Sequence, residues 1–589
     1  MIRVKGIILH RSVPMMAALL ALVISAAQGF AQTQDPEGTD FDQTQIITGD
    51  RTLTVDKAFK IATLPNEVDI DSRKEELSIE LIPRRPAVGV EAEPIDAARV
   101  KMREPLQPLY NGYVKGGVGT YQSPLLEAMY HSTRKRDLSF GVKYRHLSSN
   151  RGIRNVAYSG FSQNELAAWG KKIFKQHSLE TKASFERDVW HYYGWDPQDL
   201  DVNKKDIQQR FDLLNLENRW RSYYRDSSKV NHDLVLNIYQ LNDRLSSGEF
   251  GLFAGGELHA YRGAHYFSLN TGFDLISYSS DGLSGLPVAP INPSPLEAPT
   301  PSTTNAIVHA TPRIVLQSGG LRAAVGMGLY MQVENIARFH AFPDAELSYS
   351  LFNNLFIPYA GVTGSVNRVG YRSITGENPF VLNALDLQNS ITRYRAFGGI
   401  RGSISDKLSF NTAISIDRTD QTPLFVNDIT YSRENRFDLV YDDIRTLSIM
   451  GEVNYMHSEK WEAGMRLELL SYSTDQQDEA WHLPAHRFSL FGKYRLYDKL
   501  HAGLEIFWIG KRDVRGFEEI MLESGESAIA FTSLELPAYL DMSLELEYRY
   551  TKRLSAFVQV HNLSASRYDI YYRFPAQRGF AIGGMRYAF

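Results

Sequence analysis

The chain has 589 residues, 24 prolines, no cysteine, and a formal net charge of -4 from 64 basic and 68 acidic residues. Without cysteine it has no disulfide scaffold, thiolate metal site, cysteine nucleophile or lipidated cysteine. The near-balanced charge argues against a dedicated nucleic-acid binder. Beyond the first 30 residues no apolar run reaches the ~20 residues of a spanning helix. The mean hydropathy of -0.30 fits a soluble protein, and equally a membrane barrel that hides alternate polar residues in its lumen.

Residues 1 to 31 read as a secretory signal. Arg3, Lys5 and Arg11 form the basic start and Met15 to Ala27 the apolar stretch. Gly29-Phe30-Ala31 places small residues for cleavage between Ala31 and Gln32. The alternative, an N-terminal anchor, has a shorter apolar stretch than a span needs. Residues 32 to 105 hold 16 acidic and 10 basic residues, a net of -6, and lack Trp and Tyr. They contain Pro65, Pro83, Pro86 and Pro94 as breakers and too few apolar residues for a sizeable core. We read them as a largely extended periplasmic or lumenal segment.

From Leu109 the pattern changes to period two. Between Tyr539 and Tyr550, Leu540, Met542, Leu544, Leu546, Tyr548 and Tyr550 fall on one face, and Asp541, Ser543, Glu545, Glu547 and Arg549 on the other. A helix would scatter those charges, whereas a strand separates them. Trp461 to Ser471, Arg487 to Leu496, Leu138 to His146 and Leu408 to Asp417 repeat the split. Short charged turns such as Ser405-Asp406-Lys407, Tyr497-Asp498-Lys499 and Thr551-Lys552-Arg553 alternate with long irregular loops. The long loops are 148 to 162, 191 to 206, 280 to 304, 368 to 390, 419 to 434, 472 to 481, 512 to 532 and 564 to 577. That alternation is the mark of a transmembrane barrel with tight periplasmic turns and long outer loops. Strands placed between these connections include 406–419, 434–456, 481–496, 498–512, 533–550, 552–563 and 577–589. Reading 434 to 456 as one strand gives about 22; splitting it gives an odd number and puts later loops on the wrong side. The expectation is an all-β, antiparallel outer-membrane barrel over residues 106–589.

The aromatic content, 12%, then has a mechanical use as girdles at the two water–lipid interfaces. Trp461, Tyr494, Tyr548 and Tyr550, with Tyr587 and Phe589, lie at strand ends on the proposed lipid face. Phe491 and Phe557 sit on otherwise polar faces and are candidates to touch cargo or an internal segment.

The chain ends in Arg586-Tyr587-Ala588-Phe589, which resembles the signal read by the barrel-assembly machinery of Gram-negative bacteria, carried by Tyr587 and Phe589. The stretch Leu554 to Leu563, then Tyr568, Pro575 and Arg578-Gly579-Phe580, resembles the last hairpin of TonB-dependent outer-membrane receptors. Leu53 to Ile61, Tyr113 to Gly119 and His191 to Gly194 are similar to a Bacteroidota-type subset of that family. The resemblance implies a 22-stranded barrel in the outer membrane and a role in solute transport. Its partners would be lipid and lipopolysaccharide, the assembly machinery, and TonB or another periplasmic or outer-membrane protein. Thr52-Leu53-Thr54-Val55 is a TonB-box-like candidate. The family's plug is larger than residues 32–105, and its Gly-rich pattern is missing from them, so the plug is expected to be reduced.

No HExxH, GxSxG or P-loop pattern occurs, so neither an enzyme nor a cofactor is expected. His259, His265, His482 and His486 read as lumenal or interfacial polar residues, since (i, i+4) spacing on a strand does not converge on a metal. Asp196, Asp199 and Asp201 form an acidic loop that has oxygen ligands for Ca2+ or is simply solvated. Pro287, Pro290, Pro293, Pro295, Pro299 and Pro301 stiffen the loop 280 to 304. Two functions follow: a barrel that binds or passes a solute, or a scaffold barrel that docks partner proteins. An empty barrel of this width is an open pore, so residues 32–105, inward loops or a partner must fill it.

Overall fold

The computed structural model describes residues 109–133, 135–150, 153–194, 202–226, 229–263, 265–282, 300–334, 336–432, 434–457, 460–497, 499–521 and 527–589. The cleavage pair Ala31 and Gln32, residues 32–105 with Thr52, Leu53, Thr54 and Val55, the carboxylates Asp196, Asp199 and Asp201, and residues 283–299 of the proline-rich loop lie outside them.

The period-two segments form one antiparallel meander. It runs from β1 (Gly112–Gly119) through consecutive strands to β19 (Leu500–Ile509), then β22 (Tyr539–Arg549), β23 (Leu554–His561) and β26 (Phe580–Ala588). β19 pairs with β22, β23 with β26, and β26 returns to β1 in register from Tyr113↔Ala588 to Gly119↔Ile582. The described residues therefore make a closed sheet of 22 strands with no free edge.

Alternation sets the two faces. Along β22, Leu540, Leu546 and Tyr548 are exposed outward, while Glu545 points in and meets Lys115 of β1 at 3.6 Å. Val118, Val142, Val325, Ile414, Ile449 and Met585 continue the exposed apolar belt around the barrel. The lumenal wall is laced by ion pairs such as Lys143–Glu165 (3.0 Å), Arg219–Asp233 (2.8 Å) and Arg401–Glu346 (3.1 Å). At the closing seam the inward Phe557, buried, lies against Gly117 and Gly584, where a methyl would collide with its ring. Lys115 Nζ sits 4.3 Å from the ring centroid. Phe557 thus packs the seam and does not offer itself to cargo.

β15 (Leu408–Asn427) and β16 (Phe437–His457) are 20 and 21 residues long, about twice the ~9–11 residues that cross a bilayer. The sequence pattern stops the first of them at residue 419, and the structure corrects that. The register slips between Thr419 and Thr422, Gln421 adopts a positive φ of 54°, and pairing resumes through Pro423 to Asn427. The bulge scrambles the alternation that sequence reading relies on. A second correction concerns residues 512–536. Instead of a loop followed by a strand from 533, they form a separate ribbon, β20 (Arg512–Met521) paired with β21 (Ser527–Leu536). A second small ribbon pairs β24 (Asp569–Tyr571) with β25 (Phe574–Pro575).

Counted between the described strands, the ten connections at one end are short, whereas eight of the eleven at the other are long. The exceptions at the long-loop end, 120–122, 244–246 and 334–336, are three residues each.

Candidate functional site

Among the described residues the largest apolar core lies at the long-loop end, where the connection between β13 (Ile357–Asn367) and β14 (Ser390–Ser403) folds inward. Residues 368–389 carry a short helix, Tyr371–Glu377, and then an irregular run. Val369, Tyr371, Ile374, Phe380, Val381, Leu382, Leu385 and Leu387 from this one loop are buried in that core.

Buried carboxylates at the ends of strands on one side of the mouth hold it. Glu249, fully buried, accepts the backbone N–H groups of Tyr371 and Arg372 and the Tyr239 hydroxyl (2.7 Å). A carboxylate there satisfies the first orphan donors of the helix and sits at its positive end. Asp243 accepts the Tyr371 hydroxyl (2.9 Å), the Gln209 amide (3.0 Å) and the N–H groups of Leu245 (2.8 Å) and Ser247 (2.7 Å). Arg368 donates to Asp274 (2.8 Å) and to the Asn305 carbonyl (3.2 Å). Asn383 donates to the Gly282 carbonyl (2.7 Å), and its own carbonyl accepts the hydroxyls of Ser247 (2.7 Å) and Tyr278 (2.6 Å).

The same loop is tied to other parts of the wall. Val381 bridges Phe437, with Leu382 N–H donating to the Phe437 carbonyl (2.8 Å) and Phe437 N–H to the Phe380 carbonyl (3.0 Å). The Tyr192 hydroxyl donates to the Val381 carbonyl (3.1 Å), and the buried Arg436 guanidinium lies 4.2 Å from the Tyr192 ring. Burial pushes the Tyr192 phenol up to about 12. From the last long loop, Phe574 stacks on Phe380 at 4.1 Å, and Tyr571 donates to the Glu377 carbonyl (2.9 Å). These anchors come from the ends of the fifth to tenth strands, the sixteenth, and the final connection, so the loop reaches across the mouth instead of lining one side.

The neighbouring loops interlock beside it. Asp442 accepts N–H groups of Gln476 (3.0 Å) and Gln477 (2.7 Å), fixing the loop 475–485 on the projecting β15–β16 ribbon, where Trp481 packs with Leu424, Val426 and Ile444. His482 N–H donates to the Asp513 carbonyl (2.8 Å). The His482 ring is buried between Phe437 and Tyr571, each 5.6 Å away, with no hydrogen-bond partner on either nitrogen. Burial, and then the charge of Arg512, lower its pKa to about 3. His482 is therefore part of the packed mouth, not a lumenal polar residue.

The sequence-predicted aromatics lie at the opposite end. Trp461 and Tyr494 face each other across adjacent strands with ring centroids 4.2 Å apart. Tyr548, Tyr550, Tyr587 and Phe589 are also outward and exposed there. Phe589 closes the ladder, its carbonyl accepting Asn111 N–H (2.7 Å). Among the described residues no cluster of three or more His, Asp or Glu is arranged to hold a metal ion. Glu249, Asp243 and the mouth loop belong to no recognisable sequence motif. The available signal was eight apolar residues inside a 22-residue connection where a solvated loop would be polar.

No family model and no curated protein match the chain. Its fold is that of known structures. It is similar to the FrpB iron transporter from Neisseria meningitidis at 8% identity, covering 82% of each chain, with a TM-score of 0.60. It is similar to the ferric-catecholate import receptor Fiu from E. coli K12 at 12% identity, covering 81% of this chain and 82% of that one, with a TM-score of 0.58. For FpvA of P. aeruginosa bound to heterologous pyoverdines the values are 14%, 82% and 72%, and 0.54. The chain has the barrel fold of TonB-dependent receptors.

Proposed function

We propose that the protein is an outer-membrane barrel that captures a solute at its long-loop end and admits it to the lumen. The observation that carries this reading is the mouth: an inward loop held across a closed barrel by buried carboxylates and aromatic packing. Supporting it are the exposed apolar belt, the charged lumenal wall, and a fold shared with proteins described as an iron transporter and a ferric-catecholate import receptor. In this reading Ala31 and Gln32 mark export, and Tyr587 and Phe589 present the chain to the assembly machinery of a Gram-negative outer membrane. Trp461, Tyr494, Tyr548 and Tyr550 then form the girdle on the periplasmic side, with lipopolysaccharide around the opposite rim. Residues 32–105 act as a reduced plug, and Thr52 to Val55 are where TonB would pull. No catalytic role is assigned. The partner-docking alternative has no specific observation in its favour.

Planar-bilayer conductance of the full chain and of a chain lacking residues 32–105 tests the proposal. A small conductance that rises on deletion is expected if the segment occludes the lumen. An unchanged conductance removes that role from it, and failure to insert at all overturns the membrane reading.

A further inference from the structure

At the short-turn end, two neighbouring turns border a half-open cavity of about 390 Å³ lined by Lys175, Gln176, Tyr223, Tyr224, Arg225, Asp226 and Lys229. Three cations and one carboxylate leave it net positive. Lys175, Arg225 and Lys229 form no ion pair among the described residues, whereas the nearby Lys171 and Lys172 are held by Glu180 and Asp137. Lys229 instead sits 5.2 Å from the Tyr224 ring centroid.

Behind the cavity four rings share the outward face of the wall: His177, Trp220, Tyr224 and His232, with His177 stacked 5.4 Å from His232. Their hydrogen bonds assign a free donor. Trp220 Nε1–H can only donate, and it lies 3.2 Å from His177 Nδ1, so that nitrogen accepts and carries no proton. The ring proton is then on Nε2, which lies 3.2 Å from the Tyr224 oxygen and donates to it. The Tyr224 hydroxyl is left with its own hydrogen to give, and Tyr224 lines the cavity. Phe174 and Val230, 52% and 53% exposed, flank the cations. Cations, a phenol donor and uncovered apolar side chains at one rim match an amphiphile with an anionic head.

We infer that this cavity binds the anionic phosphodiester headgroup of a glycerophospholipid, with Lys175, Arg225, Lys229 and Tyr224 on the phosphate and Phe174 and Val230 against the glycerol and acyl chains. The assignment rests on the membrane placement proposed above. A chain that inserts into vesicles but shows no lipid preference defeats the site and leaves the placement intact.

Native mass spectrometry of the full chain released from mixed micelles tests it, with phosphatidylglycerol and phosphatidylcholine of identical acyl chains as probes. Phosphatidylglycerol should be retained about tenfold better, the scale expected for a few basic residues at an anionic headgroup surface. The triple variant Lys175→Gln, Arg225→Gln, Lys229→Gln should lose that preference, and Tyr224→Phe should weaken it. The control triple Lys407→Gln, Lys499→Gln, Lys552→Gln, in other short turns, should keep it. Equal loss in the control means diffuse rim charge and overturns the site, as does retention in the first triple variant. Displacement of the lipid by excess soluble glycerol phosphate overturns the lipid assignment. So does loss of a co-purifying acidic protein from the first variant with lipid retention unchanged.

Discussion

The two ends of the barrel are built by different physics. At the short-turn end the chain reverses in a few residues, hydrogen bonds are local, and the large side chains face outward: Tyr548, Tyr550 and Tyr587 are exposed. At the long-loop end the strands overshoot, the loops turn inward, and residues far apart in sequence share one core, as Tyr193 and Phe574 do at 5.0 Å. One end is a rim fitted to its surroundings; the other is a small folded domain assembled on the rim. Substitutions should therefore be costly at the long-loop end and mild at the other.

The largest effect is expected from Phe574→Ala. The side chain is fully buried and packs on Phe380, Tyr193 and Phe437, so its removal should cost ~3–5 kcal/mol of local packing. Hydrogen exchange across residues 368–389 should accelerate while the heat-resistant migration of the folded barrel stays the same. Unchanged exchange there would mean that the mouth is not a cooperative unit.

A pH effect of similar or somewhat smaller size should come from His482. Its folded pKa, about 3, lies below the 6.5 of a free imidazole. Above pH 6.5 the ring is neutral in both states and adds no pH dependence. As pH falls toward 3 only the released ring takes up a proton, so loop docking weakens by roughly 4 kcal/mol at the limit. His482→Phe should abolish this dependence in protease-nicking assays of the loop 475–485; a persisting dependence would assign it elsewhere.

Glu249→Gln should be milder, about 1–3 kcal/mol, because one amide oxygen replaces two carboxylate oxygens serving Tyr371, Arg372 and Tyr239. It should raise proteolysis within 368–389 without altering barrel assembly. At the short-turn end, Thr551→Ala removes the hydroxyl that accepts N–H groups of Arg553 (3.2 Å) and Leu554 (2.9 Å). The loss should be only ~0.5–1 kcal/mol, with no change in conductance. A mouth-like response to this last variant would erase the distinction between the ends.

What could be read in advance divides along the same line. Strands whose neighbours are adjacent in sequence showed their faces through alternation, as in Leu540 to Tyr550, and the girdle candidates followed from it. The mouth did not show itself. Val381 and Phe437 meet across 56 positions, and Glu249 serves a helix more than 120 residues away. Gly370, Gly376 and Pro379 make the mouth loop read as a plain connection. Pro423 and the bulge before it likewise disguised the upper half of β15. Period reports pairing between neighbours and is silent about contacts made through the lumen.

The most direct test of the mouth is single-channel conductance after residues 369–388 are replaced by a short Gly-Ser linker in the chain lacking residues 32–105, with that deletion chain as the unaltered reference. If the inward loop constricts the barrel, conductance should rise severalfold while the protein remains a folded, inserted barrel. Conductance equal to that of the unaltered chain, with insertion preserved, would contradict the account.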